Sequence, residues 1–169
     1  MNVEVLLGNI SSFKADVIVT AANSFLRGGG GVDGAIHLAA GPLLMKELQK
    51  FEGCETGDAV LTNAYNLSAK YIVHAVGPIY EGGTKGESNL LSSAYERSIE
   101  LAHSVNASSI IFPLISTGVY GYPLEEAIGI ALSSTKEAVK TFNFNGNISF
   151  VCYDKFTQDT LKNTLNSMV

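Results

Sequence analysis

Short apolar runs alternate with longer amphipathic stretches along this chain. Residues 3, 5 and 7 are apolar in alternation, and five further apolar runs are long enough for buried strands. The predicted strands are centred on 3–7, 17–19, 59–61, 71–76, 110–112 and 148–153.

Apolar residues at helical spacing predict about five helices between and after these strands. The first covers 32–40 and is ended by Gly41-Pro42, which also starts the second. Apolar spacing indicates a third helix from Leu91 to Ala102 and a last one from Leu161 to Met168. Pro123 indicates the start of the helix between them. Residues 81–88, EGGTKGES, predict a surface loop. This order predicts an α/β fold with helices on both faces of the sheet, and ligands bind at the carboxyl ends of strands in such folds.

Composition narrows the class of protein. A chain of 169 residues with 46% hydrophobic and 16% charged residues fits one globular domain. The net charge of −5, without a basic cluster, makes nucleic acid an unlikely partner. Cys54 and Cys152 are too few for a disulfide framework and suggest reduced thiols, and no membrane span or leader is recognisable. We therefore expect a cytoplasmic protein that binds no membrane.

The stretch from Thr20 to Gly41 carries the first functional signal. A buried strand leads into Asn23, four consecutive glycines and a helix. A glycine loop between a strand and a helix lets backbone N–H groups approach a phosphate or sugar closely. The alternative interpretation is a surface turn, in which Asn23 only shapes the backbone.

The dinucleotide-binding pattern fits this stretch poorly. Gly29, Gly31 and Gly34 satisfy the dinucleotide pattern G-x-G-x-x-G, but several residues separate the strand from the glycines and no acidic residue ends a strand about 20 positions later. A second glycine-containing loop, PLISTGVYGYP at 113–123, also follows a strand. Both loops should therefore lie at the carboxyl edge of the sheet, where they predict a site that binds a diphosphate carrying a second sugar from two sides.

The stretches AANSFLRGGGGVDGAIHLAAGP and PLISTGVYGYP closely resemble the macrodomain family, and in particular its MacroD-type branch. The resemblance extends over nearly the whole chain and includes VHAVGPIY and FVCYD. It implies a single macrodomain over residues 1–169, with a three-layer α/β/α fold around a mixed sheet of about six strands. It further implies binding of ADP-ribose and hydrolysis of its esters, namely O-acetyl-ADP-ribose and mono-ADP-ribosylated acidic side chains of proteins.

The resemblance also assigns roles to individual residues. Asn23 matches the asparagine that holds the distal ribose, Asp33 the aspartate that positions or activates water, and His37 a histidine of the same helix. Tyr153 lies where an aromatic residue covers the adenine. The ligand-binding residues implied are Asn9, Ile10, Ala22, Gly30, Gly31, Val32, Ser116, Thr117, Gly118, Val119, Tyr120 and Tyr153.

Two positions depart from the family pattern. Asn9 replaces an aspartate that accepts a hydrogen bond from the adenine amino group, so we expect weaker or less adenine-selective binding. Thr20 replaces the first asparagine of N-A-A-N, and we expect an internal hydrogen-bonding group there. Neither departure is expected to affect Asp33.

The expected chemistry needs no covalent nucleophile, metal or cofactor, and the sequence shows no cluster of ligands for a metal. A diphosphate oxygen and Asp33 would orient and partly deprotonate a water aimed at a carbonyl or an anomeric carbon. Structural alternatives stand beside these roles: a helix-start carboxylate for Asp33, a packed helix residue for His37 and an inward strand residue for Tyr153. His74, His103 and both cysteines are assigned to structure. The alternative functions are an ADP-ribose reader without turnover and a nicotinamide oxidoreductase.

Overall fold

A computed structural model describes residues 2–168, whose six strands form one sheet. The strands are β1 (Val3–Leu7), β2 (Val17–Ala21), β3 (Ala59–Asn63), β4 (Tyr71–Ala75), β5 (Ser109–Phe112) and β6 (Asn147–Cys152). Their order is β1-β6-β5-β2-β4-β3, with β3 antiparallel to β4 and every other neighbouring pair parallel. The prediction of a mixed six-stranded sheet is confirmed.

Helices cover both faces of this sheet, as predicted. They are α1 (Gly31–Ala40), α2 (Leu43–Leu48), α3 (Glu87–Ser104), α4 (Leu124–Phe142) and α5 (Lys155–Ser167), and a short 3-10 turn spans Ile10–Ser12. One apolar cluster joins the sheet to α1 and α2, and the other joins it to α3, α4 and α5. No helix within residues 2–168 is both long and apolar enough to cross a bilayer.

Burial on both faces explains why the first three residues of β2 are apolar without alternation. In β2, Val17 and Val19 pack into the cluster below α3 and α4, while Ile18 packs into the cluster below α1. All three side chains are buried. Strands covered on both sides need apolar residues at every position.

The loop predicted over 81–88 is shorter than expected, because α3 already begins at Glu87. The Glu87 carboxylate accepts hydrogen bonds from the backbone N–H groups of Glu81, Gly83 and Lys85 at 2.6–2.9 Å. These bonds hold the pKa of Glu87 at about 2. The side chain therefore folds the loop onto the start of the helix, a role that the local sequence does not reveal.

Candidate functional site

A cleft of about 610 Å³ lies at the carboxyl edge of the parallel strands. It is lined by the segments that follow β2, β5 and β6. Nine residues expected in the ligand site line it: Gly30, Gly31, Val32, Ser116, Thr117, Gly118, Val119, Tyr120 and Tyr153. The two glycine loops thus meet at one rim, as their positions after strands predicted.

The start of α1 offers unsatisfied donors to this cleft. Gly30 is the N-cap residue and is extended, and because it has no side chain it offers no capping acceptor to the helix. The first N–H groups of a helix have no intrahelical acceptor, so those of Gly31 and Val32 are available to an anion. Gly34 lets the preceding loop pass close to α1, since a Cβ atom at this position would lie 2.5 Å from the carbonyl oxygen of Gly29.

Asn23 organises the backbone of the loop that precedes α1. Its Oδ1 accepts from the N–H groups of Phe25 (3.1 Å) and Arg27 (3.3 Å), and its Nδ2 donates to the Gly28 carbonyl (2.8 Å). This arrangement is the turn-shaping role that the sequence left as an alternative. One N–H of Nδ2 remains free to meet a ligand.

The second loop, residues 113–123, is held by side-chain hydroxyls bonded to carbonyl groups. Ser116, at φ +70°, donates through Oγ to the Pro78 carbonyl at 2.8 Å, and Thr117 donates to the Leu114 carbonyl at 2.8 Å. Gly77 allows this packing, because a Cβ atom there would collide with the side chains of Ile115 and Ser116. Both hydroxyls therefore support the loop rather than face a ligand.

Backbone donors of this loop remain free. Within residues 2–168, the N–H groups of Gly118, Val119 and Tyr120 donate to no protein acceptor. These residues line the same cleft as Gly30 and Gly31. The cleft lining includes no Lys or Arg, so an anionic ligand would be held mainly by backbone N–H groups and not by cationic side chains.

Asp33 lies beneath the cleft and not in its lining. Its side chain is buried, and Oδ1 accepts a hydrogen bond of 2.9 Å from Thr20 Oγ1. His37 Nε2 lies 3.6 Å from the same oxygen, one helical turn along α1. Burial raises the pKa of Asp33, and His37 and Thr20 oppose that rise in part. The expectation that Thr20 does not affect Asp33 is wrong, because strand β2 places its hydroxyl directly on the carboxylate.

His74 completes a polar cluster on this side of the sheet. It is fully buried and is the register partner of Thr20 across β2 and β4. Its Nε2 lies 2.9 Å from Thr62 Oγ1, and its Nδ1 has no hydrogen-bond partner. Burial lowers its pKa to about 3, with His37 adding to the effect. One ligand atom each of Asp33, His37 and His74 lies within 4.8 Å of the others. The expectation that the chain contains no group of possible metal ligands is therefore wrong.

Three residues expected to bind ligand do not line the cleft. Ile10 and Ala22 are buried in the apolar cluster below α1. Asn9 caps the 3-10 turn, where its Oδ1 accepts from both the N–H (3.0 Å) and the hydroxyl (2.8 Å) of Ser11. An adenine amino group would have to share that oxygen with two existing donors, which adds to the expectation of weak adenine selectivity.

The side wall of the cleft comes from the end of β6 and the start of α5. Tyr153 follows β6 and is 54% exposed, which excludes the inward-facing alternative. Asp154 caps α5 by accepting the Thr157 N–H at 2.8 Å. Sequence reasoning missed eight lining residues: Ala21, Pro113, Leu114, Leu124, Val151, Cys152, Asp154 and Thr157. Several of them lie at or just after the end of a strand, and that position in the sequence could have identified them as lining residues.

A second cavity of about 640 Å³ lies between the loop after β2 and α2. Side chains such as Phe25, Met45 and Phe51 line it, with Arg27 stacked 5.8 Å above the Phe25 ring. No residue of the two glycine loops, 28–31 and 113–123, lines it. The cleft at the strand ends is therefore the better candidate for a phosphorylated ligand.

Fold and cleft together define an α/β protein built to hold a phosphorylated ligand between two backbone loops. The model of the Macro domain family matches residues 19–131. A Macro domain-containing protein of Methanosarcina mazei is 47% identical over 167 residues, covering 99% of this chain and 89% of that protein. An O-acetyl-ADP-ribose deacetylase of Klebsiella pneumoniae is 46% identical, covering 97% of this chain and 96% of its own.

Solved structures agree with these relatives. The Oceanobacillus iheyensis macrodomain with ADP superposes with a TM-score of 0.93 at 38% identity, over 98% of this chain and 90% of that one. The Trypanosoma brucei macrodomain in complex with ADP-ribose gives a TM-score of 0.90 at 38% identity, over 97% of this chain and 69% of that one. The chain belongs to the macrodomain family, and the resemblance of its two loops to that family is confirmed.

Proposed function

We propose that this protein binds ADP-ribose in the cleft and hydrolyses ADP-ribose esters, as a MacroD-type enzyme acting on O-acetyl-ADP-ribose and on mono-ADP-ribosylated acidic side chains of proteins. The observation that carries the proposal is a buried carboxylate, Asp33, at the foot of a helix whose first N–H groups face the cleft. Relatives about 46% identical that are named O-acetyl-ADP-ribose deacetylase support the choice of ester.

Diphosphate binding would bring the ester close to this carboxylate. The N–H groups of Gly31 and Val32 on one side and of Gly118 to Tyr120 on the other would clamp the phosphate oxygens. The distal ribose would then lie near Asn23 and above Asp33. Because the lining offers no cationic side chain, the clamp would depend on loop geometry and little on surface charge.

Asp33 would act as a general base on a water held between its carboxylate and a diphosphate oxygen. The carboxylate has to be ionised to accept a proton, and burial raises its pKa. Its proton affinity is thus greater than that of an exposed aspartate, which makes it a better base near neutral pH. The hydrogen bond from Thr20 keeps the ionised form accessible.

The products identify the bond that breaks. Attack at the ester carbonyl transfers the water oxygen to the released acid and leaves the ribose hydroxyl unchanged. Attack at the anomeric carbon of a C1-linked acyl group places the water oxygen on the ribose. Hydrolysis in ¹⁸O-water followed by mass spectrometry of both products distinguishes the two routes.

Comparison of wild type with Asp33→Ala tests the proposed function. The substrates are O-acetyl-ADP-ribose and a glutamate-linked ADP-ribosylated protein. We expect the variant to lose about 10²–10⁴-fold in turnover while its calorimetric affinity for ADP-ribose stays within a few-fold. Full turnover by the variant would overturn the role of Asp33.

The second candidate function is an ADP-ribose-binding module that does not hydrolyse its ligand, and the hydrogen bonds made by Asn23 favour it. Three hydrogen bonds to the loop backbone occupy this side chain, which leaves little of it to fix a ribose. Saturable ADP-ribose binding by wild type without release from either substrate would establish the reader.

A further inference from the structure

We infer that Asp33, His37 and His74 form a binding site for a divalent transition-metal ion of the zinc class. The inference goes beyond the proposed function, which requires no metal. It rests on the juxtaposition of a carboxylate and two imidazoles at the interface between α1 and the sheet.

The spacing of the three side chains suits a single ion. One ligand atom of each lies within 4.8 Å of the other two, and the closest pair, Asp33 Oδ1 and His37 Nε2, is 3.6 Å apart. Tetrahedral ligands at about 2.0–2.2 Å from zinc lie roughly 3.3–3.6 Å from one another. Side-chain movements of roughly 1 Å would therefore close the set around an ion.

Hydrogen bonding fixes which nitrogen of His74 is free. The Thr62 hydroxyl has one proton and donates it to the Asn63 carbonyl at 3.0 Å. When that proton points to the Asn63 carbonyl, the oxygen accepts from His74 Nε2–H at 2.9 Å, the tautomer that leaves Nδ1 with a free lone pair. The remaining nitrogen, Nδ1, carries a lone pair that is fully buried without a partner. Metal-binding histidines characteristically have one nitrogen held by such an outer partner and the other on the metal.

The charge balance of the cluster also favours a cation. The Asp33 carboxylate is buried, and no Lys or Arg of residues 2–168 forms an ion pair with it. A buried carboxylate whose partners are one hydroxyl and the His37 imidazole still carries a desolvation cost, and a bound cation would relieve it.

The donor set selects the type of ion. Two imidazole nitrogens and one carboxylate oxygen suit Zn²⁺ or Co²⁺, whereas Mg²⁺ and Ca²⁺ prefer oxygen ligands. The side chain of His37 is 16% exposed, which gives an ion a route from solvent and leaves a position for water. The site would thus hold three protein ligands and one solvent molecule.

Cobalt provides the direct test, because its visible absorption reports coordination independently of catalysis. Untagged protein, treated with a chelator and dialysed, is titrated with Co²⁺ and then with Zn²⁺. We expect one Co²⁺ per chain with visible absorption bands, displacement by Zn²⁺, and no displacement by Mg²⁺. An absence of saturable binding would overturn the inference.

Variants locate the ion within the chain. His37→Ala should weaken binding more than about tenfold, and Thr62→Val, which removes the support of His74, should weaken it by about 10–100-fold. His103, exposed on α3, is the third histidine of the chain, so His103→Ala is the matched control and should leave the titration unchanged. Thermal melts establish that each variant is folded. Loss of binding in His103→Ala, with binding kept in folded His37→Ala, would place the ion elsewhere and overturn the inference.

Discussion

The two loops that face each other across the cleft are built differently. The loop before α1 is held by one amide side chain, Asn23, and leads to a buried carboxylate in the first turn of the helix. The loop after β5 is held by hydroxyls of Ser116 and Thr117 and by close contact with Gly77. It presents backbone donors and no titratable side chain except Tyr120. Binding and chemistry are thus assigned to opposite walls, and substitutions should separate them.

Gly77→Ala should give the largest effect on ligand affinity. The added methyl group meets Ile115 and Ser116 and would displace the loop after β5. Overpacking of this kind costs about 1–3 kcal/mol, so ADP-ribose affinity should fall by roughly 5- to 150-fold. Calorimetry measures the loss. Gly129→Ala on α4, where the space is open, is the control and should bind as wild type does.

Thr20→Val should affect turnover on the other wall and spare binding. It removes the hydrogen bond to Asp33 with little change of shape. The pKa of Asp33, already raised by burial, should rise further, so the acidic limb of the pH–rate profile moves to higher pH. Turnover on the acidic limb should fall by about tenfold or more, the value of one hydrogen bond to a charged group, while turnover on the alkaline plateau changes little.

Thr20→Ser keeps the hydroxyl and should retain the wild-type pH profile. An equal loss of ADP-ribose affinity and of turnover in Thr20→Val would contradict the separation of the two walls.

Tyr153→Ala should weaken binding moderately at the side wall of the cleft. Stacking of a base on an aromatic ring is worth about 1–3 kcal/mol, and an exposed ring belongs at the low end, so we expect about a fivefold loss. Tyr153→Phe should bind like wild type. Phe156→Ala removes an exposed ring of the same helix region that does not line the cleft, and a similar loss there would show that the effect is not stacking.

Glu87→Gln should give the smallest effect, a change in the pH dependence of the free energy of unfolding that appears only in acid. Its pKa is about 2 in the folded protein against an ordinary 4.5, because backbone N–H groups, first that of Glu81, donate to it. The ionised side chain therefore stabilises the fold above pH 4.5, and this contribution is lost as the pH falls toward 2. Urea unfolding of Glu87→Gln should lack this part of the pH dependence. Glu137→Gln, on the exposed face of α4, should retain it.

Periodicity revealed the architecture because both faces of the sheet are buried. Val17, Ile18 and Val19 form an unbroken apolar run, and turn residues mark its ends. The contacts around Asp33 could not be predicted in this way, since Thr20 and His74 reach it only through the pairing of β2 with β4 and the packing of α1. The capping bonds of Asn9 likewise depend on a local turn geometry that no spacing encodes.

The register of β2 against β4 places Thr20 opposite His74 on the face that carries Asp33. A slip of one residue would turn Thr20 toward α3 and bring an apolar side chain under the carboxylate. The chain would still present both glycine loops to solvent, yet the Asp33 carboxylate would lose the hydrogen bond that the Thr20 hydroxyl donates to it. Recovery of turnover after refolding therefore measures correct strand alignment, which recovery of secondary structure alone does not.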